Sequence, residues 1–320
     1  MTPHIPTSEI PKRARQSLRL HFPCIRWNTW LPSGARTRAG RTQLSTPGQA
    51  RSPTSGSSMT NRRSPILHDK PGQSPSNRSL ERGVEILRAF RPGSELLGNS
   101  DLAERTGLSK ATVTRLTQTL VGCGMLQADH PSRAFRLAPA VLSLAHAMRT
   151  GSTVLSIAAP LMRTLAETRR INVGLACPDR DEMVYLESIR YNRRIVLRHV
   201  VSGQRVPMEL TSLGRAYLAA APSARRKALL DSFRLKRGAQ WPALEQQIQA
   251  AIKSVKSQGF CAASWQPEVV ALATPLVTPD AIYVLNCSVS TTEPLPAIVQ
   301  ELHPALLQLG RQIGSLLEKL

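Results

Sequence analysis

The residues best placed to do chemistry form one short run. Lys110, Ala111, Thr112, Thr114, Arg115 and Gln118 fall along one side of a helix, while Val113, Leu116 and Leu120 fall along the other, at about 100° per residue. Arg can grip guanine through two N–H groups, Gln can read adenine, and Thr or Ala can touch a thymine methyl. From Ser109 to Ala128 there is no Asp or Glu. An acid there repels phosphate, and an ordinary surface helix mixes Glu with Lys. The spacing predicts a face that meets double-stranded DNA.

Elsewhere the chemistry is sparse. The chain has no G-x-S-x-G, P-loop or H-E-x-x-H motif, so no catalytic role, no cofactor and no metal site is expected. Cys24, Cys123, Cys177, Cys261 and Cys287 lie far apart with no C-x-x-C pair and read as reduced thiols in a cytoplasmic protein. His146, His199 and His303 have no partner at motif spacing and read as structural. No apolar run reaches the ~20 residues that span a membrane, so no membrane partner is expected.

The elements around the basic face support it. Ser79 to Phe90 has apolar residues at helical spacing, capped by Ser79 and stopped by Arg91-Pro92-Gly93. A second helix starts at Ser100 and ends at Gly107. Ser109 caps the third, Lys110 to about Val121. Two short helices joined by a Gly-containing turn read as a helix-turn-helix. Leu126 and its neighbours, a turn at 129–133 and Ala134–Leu137 then read as a hairpin wing, with Arg133 and Arg136 at the DNA backbone. The DNA-contacting set is Ser109, Lys110, Ala111, Thr112, Thr114, Arg115, Gln118 and Arg133.

Of 320 residues, 42 are Lys or Arg and 21 are acidic. The density is greatest in residues 1–58, which hold nine basic residues and one acid. Residues 1–78 are rich in Pro, Ser, Thr, Gly and Arg without apolar periodicity, and disorder is expected. Residues 1–58 read either as a basic arm with non-specific DNA affinity or as sequence upstream of a true start at Met59.

Downstream, Pro139 to about Arg149 carries Val141, Leu142, Leu144, Ala145 and Met148, a helix suited to linking domains and to a dimer contact. Thr153–Arg169 is amphipathic with a kink expected at Pro160. Strands are predicted at Ile171–Cys177, Met183–Ile189, Ile195–Val201, Val269–Leu276 and Ile282–Ser290, and helices at Ser223–Phe233, Pro242–Gln258 and Pro296–Leu320.

The segments Ser79–Gly83 with Ile86-Leu87, Leu102–Leu116, Gly124–Leu137, and Gly203–Met208 leading into Thr211-Ser212-Leu213-Gly214-Arg215-Ala216 together resemble the IclR family of bacterial regulators. The resemblance spans about 79–316. It implies an α+β protein: a winged helix-turn-helix (79–137), a linker helix (138–152) and a GAF-like α/β effector-binding domain (153–320). It also implies a homodimer through the N-terminal part or a homotetramer through the effector domains. The function implied is sequence-specific, operator-bound regulation, more often repression. Carried over by motif, the effector site comprises Leu197, Met208, Ser212, Leu213, Gly214, Ala263, Ala271, Ser288 and Ser290. Helix-opening N–H groups at Leu213-Gly214 suit a carboxylate. Ser288 and Ser290, two apart on one strand, face the same way and read either as ligand contacts or as strand serines bonded to backbone.

Two stretches depart from the family pattern. Acids often follow the Gly-Tyr/Phe step, but here Phe260 precedes Cys261-Ala262-Ala263-Ser264-Trp265. A polar residue often precedes the Ala-Ala-Pro run, but here the stretch is Ala271-Leu272-Ala273-Thr274-Pro275. This implies an aromatic or acyl acid as effector rather than a small polar keto acid, or else a pocket that senses nothing. A rival reading is a small-molecule-binding protein or minor enzyme whose winged helix serves only protein contacts.

Overall fold

The computed structural model describes residues 77–191, 201–266 and 268–319. The expected disordered extension to residue 76, most of the strand expected at Ile195–Val201, and Leu197 within it lie outside these residues.

The winged helix forms as its turn chemistry dictates. Asn77 Oδ1 accepts from the Ser79 and Leu80 N–H groups and caps α1 (Arg78–Arg88). Ser79, expected as the cap, lies inside the helix, because Asn77 is an equally good cap two residues earlier. β1 is the two-residue strand Leu97–Gly98, too short to show alternation in the sequence. α2 (Asn99–Thr106) opens with Asp101 Oδ2 accepting from Gly98 N–H at 2.9 Å, so Asp101 rather than Ser100 does the capping. Gly107 ends α2 at φ 68°, where a Cβ is disfavoured. Ser109 then caps α3 (Lys110–Gly122) through Thr112 N–H.

β2 (Leu126–Asp129) and β3 (Ala134–Leu137) form the wing, and β1 pairs with β3. Ile86, Phe90, Leu102, Val113, Leu116 and Leu126 fill the core beneath. Leu120 is only partly buried. Thr117 takes the fully buried place on that stripe, with its hydroxyl donated to the Val113 carbonyl at 3.0 Å.

α4 (Pro139–Thr150) follows with no buried residue, and Leu142, Leu144 and Met148 are 73%, 60% and 53% exposed. α5 (Thr153–Arg169) contains Pro160 and buries Val154, Ala158 and Met162.

Next come β4 (Asn172–Asp179), β5 (Glu182–Ile189), β6 (Arg205–Pro207), α6 (Ser212–Ala220), α7 (Ser223–Arg237), α8 (Trp241–Gln258), β7 (Cys261–Gln266), β8 (Val269–Val277), β9 (Ile282–Ser290) and α9 (Leu295–Leu317). The strands form one antiparallel sheet in the order β6-β5-β4-β9-β8-β7. β6 and β7, both edge strands, escaped the sequence reading. One is only three residues long, and the other is a small-residue run without strong alternation.

Each face of the sheet has its own core, as alternate strand residues dictate. Val173, Leu175, Leu272, Leu285 and Cys287 pack under α5 and α9. Ala176, Met183, Tyr185, Ala273 and Val284 pack under α6, α7 and α8.

Ion pairs tie the winged helix to the β4–β5 turn. Asp179 pairs with both Arg88 of α1 and Arg205 of β6. Glu182 accepts from Arg91 at 2.7 Å and from Arg205 Nε at 2.9 Å, and Arg180 donates to Glu85 at 2.7 Å. Burial pushes the Asp179 and Glu182 carboxyls up, but their arginine partners outweigh it and hold both below the usual range. From α4, Arg149 reaches the Leu186 carbonyl and, at 2.6 Å, Glu187.

Candidate nucleic-acid interface and effector site

α3 presents Lys110, Ala111, Thr114, Arg115 and Gln118 to solvent, with Thr112 half-buried. The hydroxyls on this helix are turned inward to the backbone. Ser109 Oγ serves the cap and lies 2.9 Å from Thr112 Oγ1. Thr114 Oγ1 donates to the Lys110 carbonyl at 2.9 Å and accepts from Asn99 Nδ2 at 3.3 Å. The methyl groups of Thr112 and Thr114 remain for apolar contact. Lys110, Arg115 and Gln118 have no side-chain partner among the described residues. Asn99, which sequence reasoning missed, sits at the start of α2 beside Thr114, and its buried Oδ1 has no partner among the described residues.

The two wing arginines differ. Arg133 stands exposed at the tip in a left-handed turn (φ 50°) with no ion pair among the described residues. Arg136, also expected at the backbone, is paired with Asp129 across the hairpin. Hydrogen bonds from Ser132, then Arg136, hold the Asp129 carboxyl below its usual range.

The second site is on the α6 side of the sheet. Antiparallel register aligns Ala263, Ala271, Ser288 and Asn172 in one row across β7, β8, β9 and β4. The next row is Cys261, Ala273, Asn286 and Gly174. The sheet thus brings Ala263, Ala271 and Ser288 together and adds Asn172 and Asn286. Ser290 lies at the end of β9 and is exposed.

α6 is held close by its motif residues. Thr211 Oγ1 accepts from Gly214 N–H at 3.3 Å, so the donor expected to be open at 214 is already used. A Cβ at Gly214 would lie 2.1 Å from Met208 Cα and 2.2 Å from its carbonyl oxygen. Only glycine lets α6 pack on the backbone at Met208, and Met208, Ser212 and Leu213 are buried there. A Cβ at Gly174 would likewise lie 2.4 Å from Asn286 Oδ1 and 2.6 Å from the Tyr185 ring.

Asn172 Oδ1, Asn286 Oδ1 and Ser212 Oγ are buried and have no hydrogen-bond partner among the described residues. A buried polar atom left in this state costs about 1–3 kcal/mol. Burial pushes the Tyr185 phenol up to about 12, with the Asn286 amide acting the other way, so its hydroxyl stays protonated. Burial does the same to the Cys261 and Cys287 thiols, both pushed up to about 12. No carboxylate occupies either row. The signal for the two asparagines was present in the sequence: each is an amide inside an apolar strand run.

A basic, acid-free recognition helix beside a wing, joined by a helix to a sheet with buried unsatisfied polar atoms, defines an effector-modulated DNA-binding regulator. Residues 79–130 match the IclR helix-turn-helix domain. Residues 146–314 match the family described as bacterial transcriptional regulator IclR C-terminal. The chain belongs to the IclR family.

It is 32% identical over 243 residues to the HTH-type transcriptional regulator TsaQ1/TsaQ2 of Comamonas testosteroni, covering 74% of this chain and 87% of that one. It is 26% identical over 216 residues to the Pca regulon regulatory protein of Pseudomonas putida, covering 67% and 74%. A crystal structure of an IclR family transcriptional regulator from Brucella abortus superposes with a TM-score of 0.71 at 31% identity, over 78% of this chain and 96% of that one. These relatives are regulators, and the protein is a transcription regulator rather than an enzyme.

Proposed function

We propose that the protein is a cytoplasmic repressor that binds its operator as a homodimer or homotetramer and changes affinity when an organic acid occupies the sheet face. The observation that carries this reading is the cluster of unpartnered Asn172, Asn286 and Ser212 atoms, aligned with Ser288 and beside the protonated Tyr185. The Ser212 and Ser288 hydroxyls can donate to a carboxylate, while Asn172 Oδ1 and Asn286 Oδ1 are acceptors that suit a hydroxyl on the body of the same acid. Ala263, Ala271 and Ala273 put small apolar side chains on this face, which favours an aromatic or acyl body over a small polar one. The exposed leucines and methionine of α4, with Leu80 and Val84 on α1, support a dimer that covers them.

Lys110, Ala111, Thr112, Thr114, Arg115 and Gln118 are assigned to the major groove, with Ser109 positioning the helix and Arg133 on the backbone. For a ligand to act it must bind the DNA-competent and DNA-incompetent forms unequally. The test is fluorescence anisotropy on the DNA upstream of the gene, across salt and with a panel of aromatic and acyl carboxylates against pyruvate. The expected result is a steep loss of affinity with salt, a shift with the larger acids, and none with pyruvate. A flat salt response, or equal binding by Arg115→Ala, overturns the DNA assignment. Indifference to every acid overturns the effector assignment.

A further inference from the structure

Arg215 is used by neither site described above. It lies on α6 directly after Gly214 and is 8% exposed. Nε donates to the Glu209 carbonyl at 3.2 Å, and Nη2 donates to Gln247 Oε1 at 2.8 Å. Both acceptors are neutral. Among the described residues no carboxylate pairs with Arg215; the nearby Glu209 carboxylate pairs through Oε1 with Arg237 and Lys236, and its buried Oε2 meets no partner among these residues. Burial pulls the Arg215 pKa down, with only Cys261 acting against it. A buried guanidinium without a counter-charge is costly, because desolvation is not repaid by an ion pair.

A guanidinium carries five N–H donors. Two of those on Arg215 are used, and the three left are both on Nη1 and one on Nη2. That is the end-on fork that accepts a carboxylate through two parallel bonds. Arg215 also lines a cavity of about 680 Å³ that runs past the β7 edge between α8 and α9. The volume suits a small organic molecule. Gln247 and Gln258 line it with Arg215, and Phe260, Leu295 and Val299 form an apolar wall.

We propose that this cavity, which meets the sheet-face site at Cys261 and Ala263 of β7, is a second anion site that takes a small organic carboxylate on Arg215. The carboxylate accepts from the Arg215 fork, and the apolar body of the ligand lies against Phe260, Leu295 and Val299. Both sites share α6, so an acid bound at one biases the other through the contact of Gly214 with Met208. The bland alternative is that Arg215 only clamps the Glu209 carbonyl to α8.

The test uses the full chain carrying Asn286→Leu, which blocks the sheet face, and reads thermal unfolding with benzoate and with the neutral isostere benzamide. Benzoate is expected to raise Tm and benzamide to leave it unchanged. Adding Arg215→Met is expected to abolish the benzoate shift. Arg215→Lys, which keeps the charge but not the fork, is expected to need about ten times more benzoate for the same shift, which is 1.4 kcal/mol. Should Arg215→Met fail to fold, the Arg215→Lys titration and the benzamide control still decide. Equal shifts with benzoate and benzamide, no shift with benzoate, or a benzoate shift unchanged in the arginine variants each overturn the proposal.

Discussion

The recognition face of α3 and the inner face of the effector sheet leave polar groups unpartnered in opposite settings. On α3 the Lys110, Arg115 and Gln118 side chains lie in water, and the nearby hydroxyls are satisfied by the helix itself. At the sheet face the unpartnered atoms of Asn172 and Asn286, and of Ser212 on α6, are buried. Exposed groups cost the fold little, so DNA contacts can change without altering stability. Buried ones weaken the fold until a ligand meets them. Ligand binding at the sheet is therefore coupled to stability, and DNA reading by α3 is not.

The largest expected effect tests the sheet side. Gly214→Ala forces a methyl group into the Met208 backbone, and overpacking of this kind costs about 3 kcal/mol or more. Thermal melts are expected to show a drop of many degrees, and a variant that melts like the parent would show that α6 can move away freely. Arg115→Ala tests the other side. Loss of a bidentate base contact is worth about 1–3 kcal/mol of discrimination, so operator affinity falls while Tm stays constant. A matching fall in Tm would erase the contrast between the two faces.

Next comes Asn286→Leu. The change removes the partnerless Oδ1 but also takes the amide away from the buried Tyr185 hydroxyl, so ligand-free Tm is expected to change little while the response of DNA binding to acids is lost. Destabilisation would show that Asn286 is satisfied in the folded protein. Arg133→Ala is expected to weaken binding to all sequences alike and to flatten the log–log salt slope by about one, as loss of one phosphate contact does.

The smallest effect concerns pH. Arginine partners depress the Asp179, Glu182 and Glu85 carboxyls, so their contribution is present above the ordinary carboxylate range and lost as pH falls through the depressed values. Asp179→Asn is expected to make the fall of Tm below about pH 4 less steep. An unchanged acid limb would show that the pair adds nothing.

The sequence announced the winged helix clearly because its signals are local. Ser109, Gly107 and the Val113/Leu116 stripe act within a few residues of themselves. The effector site is harder to read because it is assembled by register. Ala263, Ala271, Ser288 and Asn172 lie far apart in the chain and meet only once β4, β7, β8 and β9 pair. Asn172 and Asn286 stood out as amides in apolar runs, but nothing local says that they share a face. The ion pair of Arg136 was hidden for a similar reason: its partner Asp129 lies across the hairpin, and only the β2–β3 register brings them together.

The ties between α1 and the β4–β5 turn change how the basic composition should be counted. Arg88, Arg91, Arg180 and Arg205 share the three carboxylates of Glu85, Asp179 and Glu182, which cancel three of their four charges. The cancelled charges hold no counterion atmosphere to exchange with a duplex, so the salt slope of operator binding reports fewer charges than the excess of Lys and Arg suggests. These ties are themselves partly exposed and screened within ~8–10 Å at ordinary ionic strength. Raising salt therefore loosens the tether of the reading head as it weakens the head's grip, and a titration with salt measures both losses together.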